Sequence, residues 1–290
     1  MGLTIGSEEH KRLLCGFFME SFKKFEPEDL PWPDLDETVR RRLADLPIWE
    51  EAVTTEAETA LKVQALGRAE KDPLLAEAIS LQGYEEDRHA RMLRMLTERY
   101  GIEVRRKPDL TPPADPHWAF LRVGYGECFD SFFGFGLFAL AKDSGYFPPP
   151  LVDLFEPVLQ EEARHILFIA NWVAYCQAQL PSFRRPSYLF RRGLALWLQS
   201  VSRVKTAVHL QGAQAARPDQ ENFTMGAAQS FGDFSVREFL GVCLAEQDRR
   251  LAPYDRRLLR PRVVPRLARA ALSLAGGRPR PVRAAAGTAL

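Results

Sequence analysis

The sequence has few cysteines, few histidines and no long apolar run. Its four cysteines, Cys15, Cys128, Cys176 and Cys243, lie far apart, so the chain lacks the Cys-x-x-Cys pair of a zinc ribbon or a rubredoxin-type iron centre. Scattered cysteines are typical of a reducing compartment. No stretch approaches the roughly 18 uninterrupted apolar residues of a membrane-spanning helix, and residues 1–25 lack the order of a signal peptide. We therefore expect a cytoplasmic protein.

Two further kinds of signature are missing. No segment shows the alternation of a half-buried strand, and the chain has no Gly-rich phosphate loop and no flavin or nicotinamide fingerprint. Hydrophobic residues make up 46% and charged residues 27% of the chain, as in ordinary soluble proteins. The pattern predicts an all-α fold, and a redox activity would need electrons from a separate donor or from the substrate.

Charge is unevenly distributed along the chain. Residues 256–290 contain nine arginines and no acidic residue; removing these nine from the 39 basic residues leaves 30 against 38 acidic residues in the body. The tail has no Phe, Trp or Tyr, which argues against single-stranded nucleic-acid binding, so we expect no nucleic-acid partner. We favour a flexible tail. The alternative is that "VVPRLARAALSLAGG" forms a short amphipathic helix that packs on the acidic body or touches an anionic membrane.

Apolar periodicity predicts helices separated by segments rich in proline and glycine. The predicted parts are an N-terminal helical extension, a four-helix bundle, C-terminal helices that pack on the bundle and a basic tail: 1–47, 48–178, 179–255 and 256–290. The bundle helices are predicted at 48–70, 74–100, 115–143 and 150–178. Further helices are predicted near 7–25, 37–45, 187–215 and 234–250.

One five-residue motif occurs twice. "LQGYEEDRHARML" (81–93) and "VLQEEARHILFIA" (158–170) share Glu-Glu-x-Arg-His. Residues three apart share a helix face, so Glu86 with His89, and Glu162 with His165, could each offer a carboxylate and an imidazole to a metal. One such pair often arises by chance. Two pairs on separate helices predict a di-metal site, which also needs an inward carboxylate from each of two further helices.

Two candidates supply those carboxylates. Glu127 is the only Glu of its predicted helix and lies on the apolar face. In the first bundle helix Glu56 shares a face with apolar residues, whereas Glu58 forms a good exposed pair with Lys62. The midpoints of the Glu56–Glu86 and Glu127–Glu162 intervals fall in the breaks "KDP" and "SGYFPPP", as two antiparallel hairpins require. The predicted metal ligands are Glu56, Glu86, His89, Glu127, Glu162 and His165.

Over residues 48–178 this six-residue pattern resembles the ferritin-like di-iron carboxylate superfamily. The resemblance implies a ferritin-like four-helix bundle of two antiparallel hairpins, and two iron ions that activate O2 or peroxide, bridged by carboxylates such as Glu86 and Glu162. Carboxylate and imidazole ligands also suit a mixed manganese–iron pair.

The acid and arginine of each repeat are similar to the Asp-Glu-x-Arg-His motif of bacterial multicomponent monooxygenases. There they orient the histidines from outside the metal site, which implies this role for Glu85, Arg88, Glu161 and Arg164. Glu replaces Asp in both copies, so the alternative is that these four residues are solvated charges.

Departures from known members of the superfamily narrow the function. A ribonucleotide reductase radical subunit would have Tyr where Leu93 stands, and a rubrerythrin would have the missing cysteine centre.

Asp130, three residues after Glu127, is either a seventh ligand or a residue outside the ligand set. Ser131 lies one turn after Glu127, where related hydroxylases and desaturases place a hydroxyl near the O2 site. The Phe and Gly residues around it indicate either an apolar substrate channel or tight helix packing.

The leading hypothesis is a di-iron oxidase or monooxygenase that hydroxylates, N-oxygenates or desaturates a partly apolar small molecule, using O2 and a separate electron donor. It could act as a homodimer. One alternative is a ferroxidase, or another iron-handling or peroxide-scavenging protein, without an organic substrate. A third is a helical interaction protein with a vestigial site. The remaining histidines, His10, His117 and His209, have no ligand-spaced acidic partner, and we expect structural or surface roles for them.

Overall fold

The computed structural model describes residues 2–46, 48–212 and 235–274, without the side chains of 202–212 and Leu274. Within these ranges the only regular structure is helical, which confirms the predicted all-α fold. No helix in the described ranges is long and apolar enough to cross a membrane. The α-helices are α1 Glu8–Glu20, α2 Glu37–Ala44, α3 Trp49–Ala69, α4 Pro73–Arg99, α5 Pro116–Ser144, α6 Pro149–Gln179, α7 Arg185–Gly212, α8 Val236–Leu251 and α9 Val263–Leu274.

Proline and aspartate fix where the long helices begin. Asp72 accepts hydrogen bonds from the backbone of Leu74 and Leu75, and Asp115 accepts one from Trp118. In both cases a proline follows at the first helical position, where its missing N–H costs nothing. Helix α5 ends at Gly145, whose φ of 62° is a left-handed conformation that favours glycine. These signals place α3–α6 close to their predicted bounds.

Helices α3 and α4 touch nearly backbone to backbone. A Cβ added at Gly67 would lie 3.3 Å from the backbone N of Ser80, and one at Gly83 would lie 3.2 Å from that of Gln64. Moving forward along α4 from Ser80 to Gly83 corresponds to moving backward along α3, so the two helices are antiparallel. The side chain of Gln64 also donates to the Gly83 carbonyl at 3.2 Å.

Helices α3–α6 form the centre of the molecule. Helix α3 packs against α4 and α5, and α6 packs against α5 and α4. The largest fully buried apolar side chains include Phe120, Phe132, Phe135, Phe168 and Trp172. Burying aromatic side chains of this size is the main stabilising term in such a core.

The remaining helices surround this centre. Helix α1 packs on α4 and α6, α7 and α8 pack on α5, and α9 packs on α8 and α5. Close contact of α8 with α5 depends on Gly136, because a Cβ there would meet the backbone N of Cys243 at 3.2 Å. Leu43 of α2 joins an apolar cluster with residues of α4, α5, α6 and α8.

Two segments differ from their predicted form. Helix α1 ends at Glu20 rather than near residue 25, and at its end the backbone N–H and the hydroxyl of Ser21 both donate to the Phe17 carbonyl, at 3.1 and 2.5 Å. In the basic segment, Val263–Leu274 are helical, which is the alternative form of "VVPRLARAALSLAGG". Residues 275–290 of that segment lie outside the described ranges.

Candidate metal centre

Side chains from all four central helices meet at one buried point. Their ligand-type atoms form two groups, each within 4.8 Å, that share Glu86. The first group is Glu56 of α3, Glu86 and His89 of α4, and Glu162 of α6. The second is Glu86, Glu127 of α5 and His165 of α6. The six residues that the repeated motif and its partner helices predicted therefore come together.

Glu86 and Glu162 each lie between the two histidines. The Glu86 carboxylate places one oxygen 3.0 Å from Nδ1 of His165 and the other 3.9 Å from Nδ1 of His89. Glu162 does the reverse, with 3.0 Å to Nδ1 of His89 and 3.8 Å to Nδ1 of His165. The arrangement is nearly two-fold symmetric. Carboxylates in such positions can offer one oxygen to each of two adjacent metal ions.

The far side of each imidazole is held by the acid of the other motif. His89 Nε2 donates to Glu161 at 2.9 Å, and His165 Nε2 donates to Glu85 at 2.9 Å. Because an ionised carboxylate only accepts, Nε2 carries a proton, and an imidazole that gives up its other proton presents an Nδ1 lone pair to the cluster. A carboxylate behind a histidine is the usual way of fixing a metal ligand's orientation.

Two buried arginines complete this outer ring. Arg88 donates to Glu161 at 2.5 Å, and Arg164 donates to Glu85 at 2.8 Å. Glu85, Arg88, Glu161 and Arg164 are all at least 95% buried, so the alternative of solvated charges is wrong. Buried charges remain ionised only when they are paired and hydrogen-bonded, as these four are.

The N-terminal segment anchors the arginines from outside. Arg88 also donates to the carbonyls of Lys23 and Phe25, both at 3.3 Å, and its guanidinium lies 3.8 Å from the centre of the Phe25 ring. Arg164 donates to the Phe18 carbonyl at 2.8 Å. The last turn of α1 and the segment that follows it thus provide the backbone carbonyls that hold the two arginines in place.

Burial and crowding shift the acid–base properties of the cluster. Burial, reinforced by the charges of Glu162 and Glu86, raises the pKa of Glu56 and Glu127 well above the ordinary carboxyl value. Burial alone would lower the pKa of His89 and His165, but their carboxylate neighbours raise it well above 6.5. Without a cation, the cluster retains protons to offset its negative charge.

Several buried polar atoms in the cluster have no hydrogen-bond partner. These are Nδ1 of His89, Nδ1 of His165, Oε1 of Glu127 and Oε1 of Gln82. The close Nδ1–carboxylate distances therefore do not have hydrogen-bond geometry. Unpartnered buried atoms are rare and require an explanation. With neutral histidines the four carboxylates carry a charge of −4, which two divalent cations would balance, and the donor set suits iron or manganese. These residues fit a pair of metal ions.

One member of the cluster was missed by sequence reasoning. Gln82 is fully buried, and its amide nitrogen lies 3.2 Å from Glu86 Oε1 and 3.5 Å from Glu127 Oε2. It stands one turn before Glu86 on the same face of α4, and that spacing was the signal available in the sequence. Gln82 holds the two carboxylates of the second group in place.

An apolar cavity of about 290 Å³ leads to the cluster. Glu56, Glu86, His89, Glu127 and Glu162 line it at one end, and its walls come from α2–α6. Wall residues include Leu43, Trp49, Leu93, Leu96, Leu137, Phe138, Leu151 and Phe155. The cavity therefore has mainly apolar walls and includes five of the six cluster residues in its lining.

Helix α5 contributes side chains both to the wall of the apolar cavity and to the tightly packed core. Gly134 and Phe138 line the cavity, whereas Phe132 and Phe135 are fully buried in the core. Ser131 lines the cavity with its hydroxyl 3.4 Å from Glu162. Asp130 lines the cavity but belongs to neither group of metal-ligand atoms found among the described residues.

The other histidines lie away from the cluster. His10 is fully buried; its Nδ1 accepts from the Gly6 backbone and its Nε2 lies 3.2 Å from Asn171 Oδ1. His117 packs against the Trp172 ring. The side chain of His209 lies outside the described residues. The contacts of His10 and His117 fit structural roles.

Fold and site together define an all-α protein with a buried Glu/His cluster that could hold metal ions. No family model, curated protein or solved structure matches the chain.

Proposed function

We propose that the protein is a ferritin-like, non-haem di-iron oxidoreductase that uses O2 to hydroxylate, N-oxygenate or desaturate a partly apolar small molecule. The observation that carries the proposal is the pair of inward-facing, unpartnered histidine Nδ1 atoms among four carboxylates, at the end of an apolar cavity. One metal would be held by Glu56, His89, Glu86 and Glu162, and the other by Glu127, His165, Glu86 and Glu162. Two bound iron ions, or a manganese–iron pair, would supply the redox chemistry of O2 reduction.

The chain's own residues have separable roles in this proposal. Glu85 and Glu161 keep the proton on Nε2, so that Nδ1 of His165 and His89 stays available to metal. Ser131 offers a hydroxyl within the cavity, next to Glu162, that could hold or pass a proton. The apolar walls exclude water and orient an apolar substrate toward the carboxylates.

The cavity favours an organic substrate over the ferroxidase alternative. At about 290 Å³ it is near the lower end of the size range of small-molecule pockets. Hydrated Fe(II) needs polar groups along its path. Outside the metal cluster the lining has only four polar residues, Thr55, Thr59, Asp130 and Ser131, and most of the others are Leu, Ile, Val, Phe or Trp. An apolar molecule would instead gain free energy by burial there.

Oxygen consumption tests the proposal. The iron-loaded protein is reduced anaerobically, mixed with O2, and followed with an oxygen electrode while products are identified by mass spectrometry. Medium-chain fatty acids, alkylamines and alkylbenzenes serve as probes. We expect at least one probe to accelerate O2 consumption and to gain oxygen or lose hydrogen. O2 consumption that follows only the amount of added Fe(II), with no oxidised probe, would support the ferroxidase instead.

Ser131→Ala provides the matched variant for that assay. Because Ser131 is outside the ligand set, we expect the variant to bind as much metal as the wild type. Its ratio of oxidised product to O2 consumed should change. Loss of metal from Ser131→Ala would contradict the role proposed for this hydroxyl.

A further inference from the structure

A second cavity, far more basic than the first, lies between α8, the connector after it and α9. It has a volume of about 360 Å³ and is lined by five arginines and one acid: Arg256, Arg260, Arg262, Arg266, Arg269 and Asp248. Five positive charges against one negative charge leave a formal +4. We call this cavity the arginine cleft. It shares no lining residue with the apolar cavity at the metal centre.

Within the part of the chain that the structure describes, most of this positive charge has no acidic partner within 4.0 Å. Asp248 lies 3.7 Å from Arg269. Among the described residues, Arg256, Arg262 and Arg266 form no ion pair within 4.0 Å. Arg257, which is outside the cleft, pairs with both Asp255 and Glu9. Guanidinium groups held together without acids repel one another, so the cleft is better suited to an anion than to solvent alone.

Two buried polar atoms in the cleft lack partners. Arg260 donates from Nη2 to the Tyr254 carbonyl at 2.7 Å, but its buried Nη1 has no hydrogen-bond partner. Gln247 is only 3% exposed, and its Oε1 is also buried without a partner, while its Nε2 donates to the Pro261 carbonyl. Burial lowers the pKa of Arg260; the charge of Asp255 opposes this shift, and the charge of Arg256 acts in the same direction as burial. An unmet donor and an unmet acceptor are therefore buried within two of the residues that line this positively charged space.

We propose that the arginine cleft binds a phosphate-bearing ligand, toward which the Arg260 and Gln247 side chains turn, so that the ligand accepts from Arg260 Nη1 and donates a hydroxyl to Gln247 Oε1. A singly protonated phosphate monoester carries one negative charge and one O–H donor, and free monohydrogen phosphate carries two negative charges and one O–H donor, so either supplies an acceptor for Arg260 and a donor for Gln247. Arginine is the side chain best matched to phosphate oxygens, because its planar fork donates two parallel hydrogen bonds. A second phosphate or a carboxylate on the ligand would reach Arg262 and Arg266 at the rim.

Calorimetric titration of the full-length, metal-loaded protein with sodium pyrophosphate tests this site. We expect saturable binding of one pyrophosphate per chain. Substituting both rim arginines, as Arg262→Gln with Arg266→Gln, should weaken binding by about tenfold or more, since two charge-assisted contacts are lost. Both residues are exposed, so the fold should be retained, and circular dichroism checks that it is.

Arg257→Gln is the matched control, because it removes the same charge from the same segment but outside the cleft. We expect its affinity to remain within about twofold of wild type. Gln247→Leu keeps every positive charge and should still weaken binding. That result would distinguish a specific binding site from nonspecific electrostatic attraction. Absence of saturable binding to wild type, or equal losses in Arg257→Gln and in the rim variant, would overturn the proposal.

A flotation assay then distinguishes two sources of the phosphate. Vesicles of phosphatidylcholine with and without phosphatidylglycerol are tested against wild type and the rim variant. Flotation that needs phosphatidylglycerol, is lost in the rim variant and is competed by pyrophosphate identifies a lipid headgroup. Pyrophosphate binding without flotation identifies a soluble phosphate compound. The titration does not depend on O2 chemistry, so its failure would leave the proposed function standing.

Discussion

Glu85 accepts a hydrogen bond from His165 at 2.9 Å, although the two residues belong to different copies of the repeated motif. The reciprocal bond joins His89 to Glu161. Each motif therefore provides a metal-facing histidine and the acid that orients the histidine of the other. Both bonds form only when α4 and α6 pack in one register, so the two copies are structurally dependent on each other.

This crossing predicts which metal each outer acid supports. Glu85→Gln should lower the affinity of the site for the metal ion held by His165 and Glu127. This is expected although Glu85 belongs to the same copy of the motif as His89, a ligand of the other metal ion. The expected loss of affinity is about 10–100-fold, because a neutral amide supports the imidazole less well. Electron paramagnetic resonance of the manganese-loaded protein distinguishes coupled pairs from single ions and measures that loss.

Asp87→Asn is the control for this prediction. Asp87 lies on the same helix, is about half exposed and pairs with Arg91, so its variant should bind both metals. If Glu85→Gln lost the ion at His89 while keeping the one at His165, the crossed arrangement would be wrong.

Two glutamates of α3 should respond differently to removal. Glu56→Ala removes a member of the first metal group and should lose metal. Glu58 contacts Lys62 at 3.1 Å and accepts from the Asp109 backbone at 3.0 Å. Glu58→Ala should keep both metals and lose under about 1 kcal/mol of unfolding free energy. Metal analysis and thermal unfolding of the two purified variants measure both effects.

The metal-free form gives a second readout of the same pair. Because crowded buried carboxylates repel one another without a cation, Glu56→Ala apoprotein should unfold at a higher temperature than wild-type apoprotein. If Glu58→Ala lost metal and Glu56→Ala kept it, the assignment of Glu56 to the cluster-facing side of α3 would be wrong.

Gly134 offers a way to fill the apolar cavity. A Cβ at this position meets no atom within 4 Å, so Gly134→Leu should be accommodated and should project into the cavity. Replacing a mid-helix glycine should also stabilise the fold by up to about 1 kcal/mol. We expect normal metal content, but weaker fluorescence enhancement of an apolar dye and slower probe oxidation.

Gly193→Leu is the matched control, because Gly193 lies in α7, has open space and is outside the cavity. It should gain similar stability without affecting dye binding or oxidation. Equal dye binding by wild type and Gly134→Leu would show that the cavity does not admit apolar molecules.

His10 predicts an acid-sensitive attachment of the N-terminus. Burial lowers the pKa of His10 below its usual 6.5, although its hydrogen bond with Asn171 acts in the opposite direction. The unfolded chain therefore binds the proton more readily, and the contribution of neutral His10 is fully present above pH 6.5 and is lost as the pH falls from there through the lower pKa of the folded protein. Protonation would also remove the acceptor used by the Gly6 N–H.

Denaturant unfolding over a series of pH values checks this effect. Stability of wild type should fall more steeply with acid below about pH 6.5 than that of His10→Gln, whose amide can still bond Asn171 but does not titrate in this range. Identical slopes for the two proteins would assign the acid sensitivity to other groups.

The helices and the six cluster residues were predictable because local rules determine them. Glu86 with His89, and Glu162 with His165, share a face through helix periodicity, and the breaks at 71–73 and 144–150 follow from proline and glycine. Glu127 and Glu56 could be selected because each stood on an apolar face. These inferences need no knowledge of how distant helices pack.

The remaining features depend on packing between helices, which periodicity does not report. The bond between Glu85 and His165 requires the register of α4 against α6. Gln82 looks like an ordinary polar helix residue in the sequence. Its place in the cluster becomes clear only when packing brings Glu127 of α5 within 3.5 Å of its amide nitrogen. Helix α1 ends at Glu20, so the carbonyls of Lys23 and Phe25 lie beyond the helix and can accept from Arg88. The arginine cleft depends on the packing of α9, in a segment for which a flexible form was favoured.

Metal stoichiometry is the most direct test of the central claim that the cluster holds two metals. Protein purified from iron-supplemented cells should contain about two first-row metal ions per chain, iron or iron with manganese, by inductively coupled plasma mass spectrometry. His89→Ala and His165→Ala should each reduce that number, since each removes an Nδ1 that has no other partner. No bound metal, or a single zinc ion unaffected by either substitution, would contradict the account.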